Sequence, residues 1–557
     1  MVLQGRGTSC ILPVMAVPPA LPVAPAPAPR RALLLLWAMA ALIALVGLGN
    51  VPLRDWDEGI VARVALETSL APWPLKLWPT YWGDPYLNKP PGLHLLIAAA
   101  IGLWRRLAAE PPGALPPEWV VRIVPALLST ALVPLLGLIQ WRLRPGDRLS
   151  ALGTAAIALT LLPLARHGRL AMLDGAQLSA MALLWWAVLG CIGSRRSLVG
   201  WAFLAGLAGS ALLLLKAPTA LPVLLVALLL RLLQRDLDRR AWGWLLLGLL
   251  LGLVPGLSWH LGHGLERGGA ALEMWTHQGF ARLSTGLEGH TGSPLEPVLE
   301  VLEGGWPWLP FWPLGMALAW RQRRSRWGHW GLGLTLGTAL MVLPLRTQLP
   351  WYSLLLWPSF ALVTAPVVAT LIRIPLPQGL LGRLPQLWSL IGALVTVLAI
   401  AGATALLPAL APAVPMALVL GLALLVAGLL LRSAERRRRY WGMVVMVCGT
   451  WLALLLLMAS SLWLWELNET WAIPSVATLL RQRGNPEVMV WLEAERPSLN
   501  WYAGHRVRSG SDLDDLRRGE AAAVELLSRQ PPKANELQCR SIAAIDELDL
   551  YRCLVPA

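Results

Sequence analysis

Asp57 and Glu58 stand in the stretch Arg54-Asp55-Trp56-Asp57-Glu58-Gly59, just beyond an apolar run at residues 32–50. The segment Tyr86-Leu87-Asn88-Lys89-Pro90-Pro91 follows in the same loop. A carboxylate close to a membrane surface can act as general base on an acceptor hydroxyl or amine. A cation beside it can neutralise a phosphate leaving group, and Lys89 is a candidate for that role. The alternative is a solvated loop with ordinary charges. Further charges stand at the ends of other apolar runs. Arg166, His167, Arg169 and Asp174 share one turn, Lys216 lies in Leu215-Lys216-Ala217-Pro218, and Arg346 and Gln348 precede Pro350-Trp351-Tyr352. Ionisable groups at membrane boundaries are costly to bury without a partner or ligand. Several cations on one face suit a multiply anionic ligand such as a lipid phosphate. The competing reading is Arg and Lys side chains snorkelling to the headgroups.

The elements that must position these residues are apolar helices. Of 557 residues, 56% are hydrophobic and 14% charged, where a soluble domain carries about 25% charged residues. Apolar blocks recur near 32–50, 119–141, 149–165, 171–192, 198–214, 216–233, 241–262, 306–320, 328–345, 350–373, 387–409, 413–432 and 440–465. A block of about 20 residues spans roughly 30 Å as a helix. The 31 Trp suit interfacial belts. The net charge of +15 does not indicate nucleic acid, because residues 467–557 hold 11 Lys and Arg against 13 Asp and Glu. The surplus therefore lies in the membrane part, where basic loops set topology and face anionic lipid heads.

The basic loops also decide the count. One apolar piece, 91–104, is short for a span. If it does not cross, the clusters at 142–148, 195–196, 231–240, 321–326, 373–383 and 432–439 all fall on the cytoplasmic side, as the positive-inside bias requires. This predicts 13 spans with 91–104 as a juxtamembrane helix. Asp57, Glu58, Lys89, the 166–174 turn, the loop 263–305 and the tail then share the opposite side. Residues 1–31, rich in Pro and Ala, read as a disordered cytoplasmic N-terminus before a retained signal-anchor.

Residues 467–557 read as a small α/β domain outside the cytoplasm, with a β-rich run at Val488–Trp491 and helical spacing at Asp512–Arg529. Cys539 and Cys553 lie in it, either bonded in an oxidising compartment or as two thiols. His260, His263, His277 and His290 lack compact metal-ligand spacing and read as loop or interface histidines. No GxxxxGK[ST], HExxH or GxSxG stretch occurs, so ATP-driven transport and the usual hydrolase chemistry find no support.

Taken in order, Asp57-Glu58-Gly59 with Ala62 and Glu67, then Gly83, Tyr86 and Lys89-Pro90-Pro91, resemble the first outer loop of glycosyltransferase family 39-like enzymes of the GT-C superfamily. These include the protein O-mannosyltransferases and the lipid A aminoarabinose transferases. The resemblance continues through Arg122–Leu128, Arg169 with Asp174, Lys216, Leu349-Pro350-Trp351-Tyr352 with Pro358, and Arg496-Pro497-Ser498-Leu499-Asn500-Trp501-Tyr502. It covers nearly the whole chain, and the DE…KPP pair is its specific part. It departs from the aminoarabinose transferases at Ile60 and Val61, where those carry Arg and Tyr, and at Gln348, where those carry Lys.

The resemblance implies an all-α polytopic membrane protein of GT-C type, with a catalytic domain at 32–466 whose first outer loop is 51–118. It implies an inverting glycosyltransferase, in a bacterial inner membrane, that moves a sugar from a polyisoprenyl-phosphate donor to a lipid, glycan or protein acceptor. Asp57 would be the catalytic base and Glu58 would orient the acceptor or the base. Lys89 and Tyr86 would bind the donor phosphate, with Arg169, Lys216 and Tyr352 as further contacts; no metal or other cofactor is implied. A transporter, flippase or ligase for lipid-linked sugars is the rival. A transporter should carry charged or broken segments at mid-membrane and an internal repeat, whereas the charges here stand at span ends.

Overall fold

The computed structural model describes residues 27–286, 293–375, 379–404, 408–464, 473–484, 488–491, 494–510, 523–532, 537–545 and 548–554. The N-terminal segment 1–26, His290 and the domain boundary near residue 467 lie outside them.

The first ten helices build the frame of the site. They are α1 (Arg30–Leu45), α2 (Asp57–Leu70), α3 (Gly92–Ala108), α4 (Glu118–Thr130), α5 (Leu132–Leu143), α6 (Arg148–Thr160), α7 (Leu162–Gly168), α8 (Leu173–Leu189), α9 (Arg195–Leu233) and α10 (Arg239–Arg267). Apolar helices follow at Trp312–Arg321, Arg326–Val342, Trp357–Arg373, Leu380–Ala403, Val414–Leu431 and Arg436–Ala459. Among the described residues, seven helices are long and apolar enough to cross a membrane, or eight if the pair α6 and α7, bent by 60°, is one broken span. Pro163 causes that bend, since it has no N–H to continue the ladder and its ring crowds the preceding turn. Helix α3 is not among the spans. Its buried residues, Leu93, His94, Ile97, Ala98 and Ile101, recur at the spacing of one helix face.

The 39 residues of α9 form two helices that meet at Lys216, where φ −145° and ψ 80° break the helical path. Pro218 follows two residues later and cannot donate to the turn before it. His260 Nε2 takes up the neighbouring Leu213 carbonyl at 3.1 Å. A straight helix of this length would run about 58 Å. Instead Arg231 donates to the Cys191 carbonyl at 2.7 Å, just before α9 begins. The chain therefore doubles back at Lys216, at the boundary between the apolar runs 198–214 and 216–233. Helix α10 then packs along the first half of α9 through Gly248, Gly252 and Gly256. A Cβ on Gly252 would stand 2.2 Å from the Phe203 carbonyl oxygen, so glycine lets the two backbones meet.

The basic loops gather at one end of the bundle. Arg231 reaches Cys191, Arg326 donates to the Leu189 carbonyl at 3.0 Å, Arg144 donates to Gln322 at 3.1 Å, and Arg373 pairs with Asp147. Helices α2 and α3, Lys216 and Tyr352 stand at the other.

The tail carries a five-stranded sheet. Its strands are β3 (Met489–Trp491), β4 (Arg508–Gly510), β5 (Ala523–Ser528), β6 (Gln538–Ile545) and β7 (Leu548–Leu554), after a two-residue pair, β1 (Thr80–Tyr81) and β2 (Asp84–Pro85), in the first loop. The order is β4-β3-β5-β7-β6, with β3 parallel to both neighbours and the rest antiparallel. The strand expected at 488–491 is present. The helical reading of 512–529 fails at 523–528, and residues 512–522 lie outside the described ones. Val524, Glu525, Leu526, Leu527 and Ser528 are a central strand, buried on both faces, and such a run carries no alternation to separate it from a helix. Cys539 and Cys553 sit opposite one another on β6 and β7 and are disulfide-bonded.

Candidate active site

Helix α2 begins at Asp57, and the residue before it, Trp56, has φ +59°, a strained value for a bulky side chain. Successive residues on a helix point about 100° apart. This separates the two acids.

Glu58 turns inward and is fully buried. Arg122 holds it with Nε at 2.8 Å and Nη2 at 2.7 Å, and the backbone N–H groups of Arg54 and Ala171 add bonds of 2.7 and 2.6 Å. Burial alone raises its carboxyl; the Arg122 charge and these hydrogen bonds outweigh it and hold the group below the ordinary carboxylate range. The other Arg122 protons go to the carbonyls of Leu48, Val51 and Pro52. Glu58 and Arg122 thus lock α4 and the segment following α1 to the start of α2.

Asp57 turns the other way. No side-chain hydrogen bond engages its carboxylate among the described residues. It lies within electrostatic reach of Arg54, Asp174, Lys89 and Lys216. Burial, with the nearby Asp174 charge, raises its carboxyl above the ordinary range, while Arg54, Lys89 and Lys216 oppose that rise.

Two of these cations, Lys89 and Lys216, belong to one connected network with Arg282. Lys89 donates to Gln278 Oε1 at 2.9 Å, and Arg282 donates to the same oxygen at 2.8 Å. Arg282 also donates to the Tyr352 hydroxyl at 2.9 Å. Lys216 stands 5.3 Å from the Tyr352 ring centre and donates to Asp174 at 2.9 Å. Burial, then the Lys216 and Arg282 charges, push the Lys89 amine down from 10.5 to about 7. Three cations in so small a space repel one another, and an anion bound among them would relieve that repulsion.

Local structure holds this arrangement. Glu67 accepts from Arg63 Nε, Thr80 Oγ1 and the N–H groups of Trp82 and Gly83, which ties the β1–β2 turn back to α2. The chain then runs into Tyr86 and Lys89. Tyr86 packs edge-on against His94, 5.5 Å between ring centres, and His94 Nδ1 lies 3.2 Å from the Pro90 carbonyl. Asp55 pairs with Arg496 and accepts from Ser498 Oγ at 2.7 Å. The helix Pro497–Ala503 therefore presses on the first turn of α2, where a Cβ on Gly59 would stand 2.6 Å from the Pro497 carbonyl carbon. Tyr502 completes the contact, accepting from the Leu53 N–H and donating to Glu118, each at 2.7 Å.

Of the residues singled out from the sequence, Asp57, Lys89, Lys216 and Tyr352 come together, with Tyr86 bracing the Lys89 loop. Two do not join them. Glu58, expected to orient the acceptor or the base, is instead held by Arg122 and by the Arg54 and Ala171 N–H groups, away from the cations. Arg169 is buried and donates to the Val46 carbonyl at 2.5 Å and the Met458 carbonyl at 3.3 Å, with its guanidinium 4.1 Å from the Trp463 ring centre. Sequence reasoning missed Gln278 and Arg282, which lie in a polar loop with no distinguishing spacing. It named Asp174 as part of a turn without giving it a role. His260 bonds the Leu213 carbonyl, His263 stacks on Trp259 at 4.7 Å, and His277 stands 3.6 Å from Glu273. Among the described residues no group of three or more His, Cys, Asp or Glu is placed to hold a metal ion.

No protein-family model matches the chain, and no curated protein sequence matches it significantly. Solved structures do resemble it. ArnT from Cupriavidus metallidurans bound to undecaprenyl phosphate superposes with a TM-score of 0.73 at 19% identity, over 94% of this chain and 98% of that one. Its apo form gives 0.72 at 18%. The Archaeoglobus fulgidus oligosaccharyltransferase gives 0.55 at 12% identity, over 86% of this chain and 64% of that one. At this level of identity the likeness shows the fold: the chain shares its architecture with ArnT and, more loosely, with the oligosaccharyltransferase.

Proposed function

We propose that this protein is an inverting glycosyltransferase that moves a sugar from a polyisoprenyl-phosphate donor to a lipid, glycan or protein acceptor outside the cytoplasm. The observation that carries the reading is the convergence of Lys89, Arg282 and Lys216 around Gln278 and Tyr352, with Lys89 and Lys216 within electrostatic reach of Asp57. The donor phosphate sits among the three cations. The acceptor hydroxyl or amine gives its proton to Asp57 as its heteroatom bonds the anomeric carbon from the face opposite the phosphate. The bond from that carbon to the phosphate oxygen breaks, and the lipid phosphate leaves with its charge held by the cations. Asp174, already paired with Lys216, is less available as base than Asp57. An undecaprenyl phosphate in a structural neighbour of the same fold agrees with this donor class.

The topology belongs to the same proposal. Thirteen crossings result when α9 counts as two spans, α6 with α7 as one, and α1, α8, Trp312–Arg321 and Arg326–Val342 as shorter crossings. The N-terminal segment 1–31 and the arginine loops then face the cytoplasm of a bacterial inner membrane. The membrane domain 32–466 carries the site on its outer side, and 467–557 folds outside. The Cys539–Cys553 disulfide supports an oxidising compartment for the tail.

The test is a membrane assay with polyprenyl-phosphate-linked sugars as donors, reading release of free lipid phosphate. Lys89→Ala and Arg282→Ala each lower release by roughly a hundredfold, the scale of losing one preorganised charge contact. Unchanged release in both variants would remove the phosphate assignment.

A further inference from the structure

A second, separate cavity opens at the arginine-rich end of the bundle. It encloses about 720 Å³ and is lined by Ala32, Leu149, Leu152 and Ile372 on its apolar side and by Arg148, Arg436, Arg437 and Tyr440 on its polar side. Four elements meet there: the start of α1, the start of α6, the end of Trp357–Arg373 and the start of Arg436–Ala459. The cavity is remote from the Asp57 site. The helical stretch Pro350–Arg373 carries Tyr352 at one end and Ile372 at the other, about 30 Å apart along its axis.

The charges in this cavity are unbalanced. No acidic residue lines it, and Arg148, Arg436 and Arg437 make no ion pair among the described residues. The nearest acids are already engaged. Asp147 accepts from Arg144, Arg373 and Ser150, and Glu435 pairs with Arg438 at 2.9 Å. The frame is built rather than loose: the buried Arg439 donates to the carbonyls of Ile372, Ser433 and Ala434, which fixes the start of its helix against the end of the Trp357–Arg373 helix.

We propose that this cavity binds the phosphate of an anionic lipid, with Arg148, Arg436 and Arg437 on the phosphate, the Tyr440 hydroxyl as a further donor, and the first part of the lipid chain against Leu149, Leu152 and Ile372. Guanidinium groups suit phosphate because their paired N–H groups match two of its oxygens. The chemistry fits two sources, a glycerophospholipid of the surrounding leaflet or a polyprenyl phosphate, and the experiment separates them.

Native mass spectrometry of the full-length protein in detergent, titrated with phosphatidylglycerol, reads the affinity. Zwitterionic phosphatidylcholine is the control lipid. The variant Arg148→Ala/Arg436→Ala/Arg437→Ala is compared with Arg321→Ala/Arg323→Ala/Arg324→Ala, which removes as many arginines from another basic loop of the same end. The expected result is a loss of phosphatidylglycerol affinity of at least about tenfold in the first variant and under about twofold in the second, consistent with a few bidentate contacts. A parallel titration with undecaprenyl phosphate uses Lys89→Ala as background, so that the outer site does not contribute. Selective loss there and not with phosphatidylglycerol identifies a polyprenyl phosphate as the occupant. Equal losses in the two triple variants with both lipids, or no loss in either, would overturn the proposal and leave only the general attraction of basic loops for anionic lipid.

Discussion

Lys89 stands with its amine 2.9 Å from Gln278, next to two further cations, and is held near pH 7. Its charge therefore changes over the pH range in which the protein can be studied. A bound phosphate favours the protonated amine and raises its pKa. Affinity for a lipid phosphate is then greatest below about pH 6 and falls as pH rises through 7, by up to about tenfold per unit. Lys89→Arg removes that slope, because guanidinium stays protonated. Binding isotherms for undecaprenyl phosphate at about pH 6, 7 and 8 check this, and parallel slopes for the two proteins would count against it. Residue types gave the sequence reading its candidates but not their directions. Asp57 and Glu58 are neighbours in sequence, yet the helical turn between them sends one to the cations and the other to Arg122. Arg169, expected as a further phosphate contact, is turned to the backbone carbonyls of Ile43, Val46 and Met458, apart from those cations.

The first outer loop works as an element because it is clamped on two sides. From within, Glu58 and Arg122 join α2 to the segment following α1 and to α4. From without, Asp55, Gly59 and Leu53 meet the tail helix Pro497–Ala503. Removing one partner of a buried ion pair leaves the other charge uncompensated, at a cost of about 3–5 kcal/mol. Glu58→Gln and Arg122→Met are therefore expected to lower the midpoint of thermal unfolding and the yield of folded protein. Asp57→Asn, which removes a carboxylate that no hydrogen bond holds, is expected to leave both unchanged. Thermal melts in one detergent compare the three, and a stable, active Glu58→Gln would contradict the division of roles. Much of this element was legible: the apolar runs and the break at Lys216 follow from length and charge. The second half of 512–529 was not, since a central strand loses the alternation that marks an edge. Nor were Gln278 and Arg282, whose importance lies only in which loops the fold brings beside Lys89.

For the whole molecule, the positions of the charges predict two separate faces. Basic loops meet at one end through contacts such as Arg373 with Asp147 and Arg326 with Leu189, and the Asp57 site lies at the other. On a background without the free cysteines, Gly83→Cys and Arg323→Cys should therefore react with a membrane-impermeant maleimide from opposite sides of sealed vesicles. Labelling of both from one side would contradict the thirteen-span arrangement. The described tail helix Pro497–Ala503 rests on α2, so the proposed arrangement puts the tail on the side of Asp57.

The central claim is that Asp57 moves a proton while the cations hold the donor, so that the two tasks can be separated. Single-turnover transfer and donor binding, measured on one preparation of Asp57→Asn, test it most directly. The account predicts donor affinity at or above that of the unaltered protein, since a negative charge has left the phosphate site, with transfer slowed by about 10² to 10⁴. Transfer at the unaltered rate, with the donor bound, would contradict it.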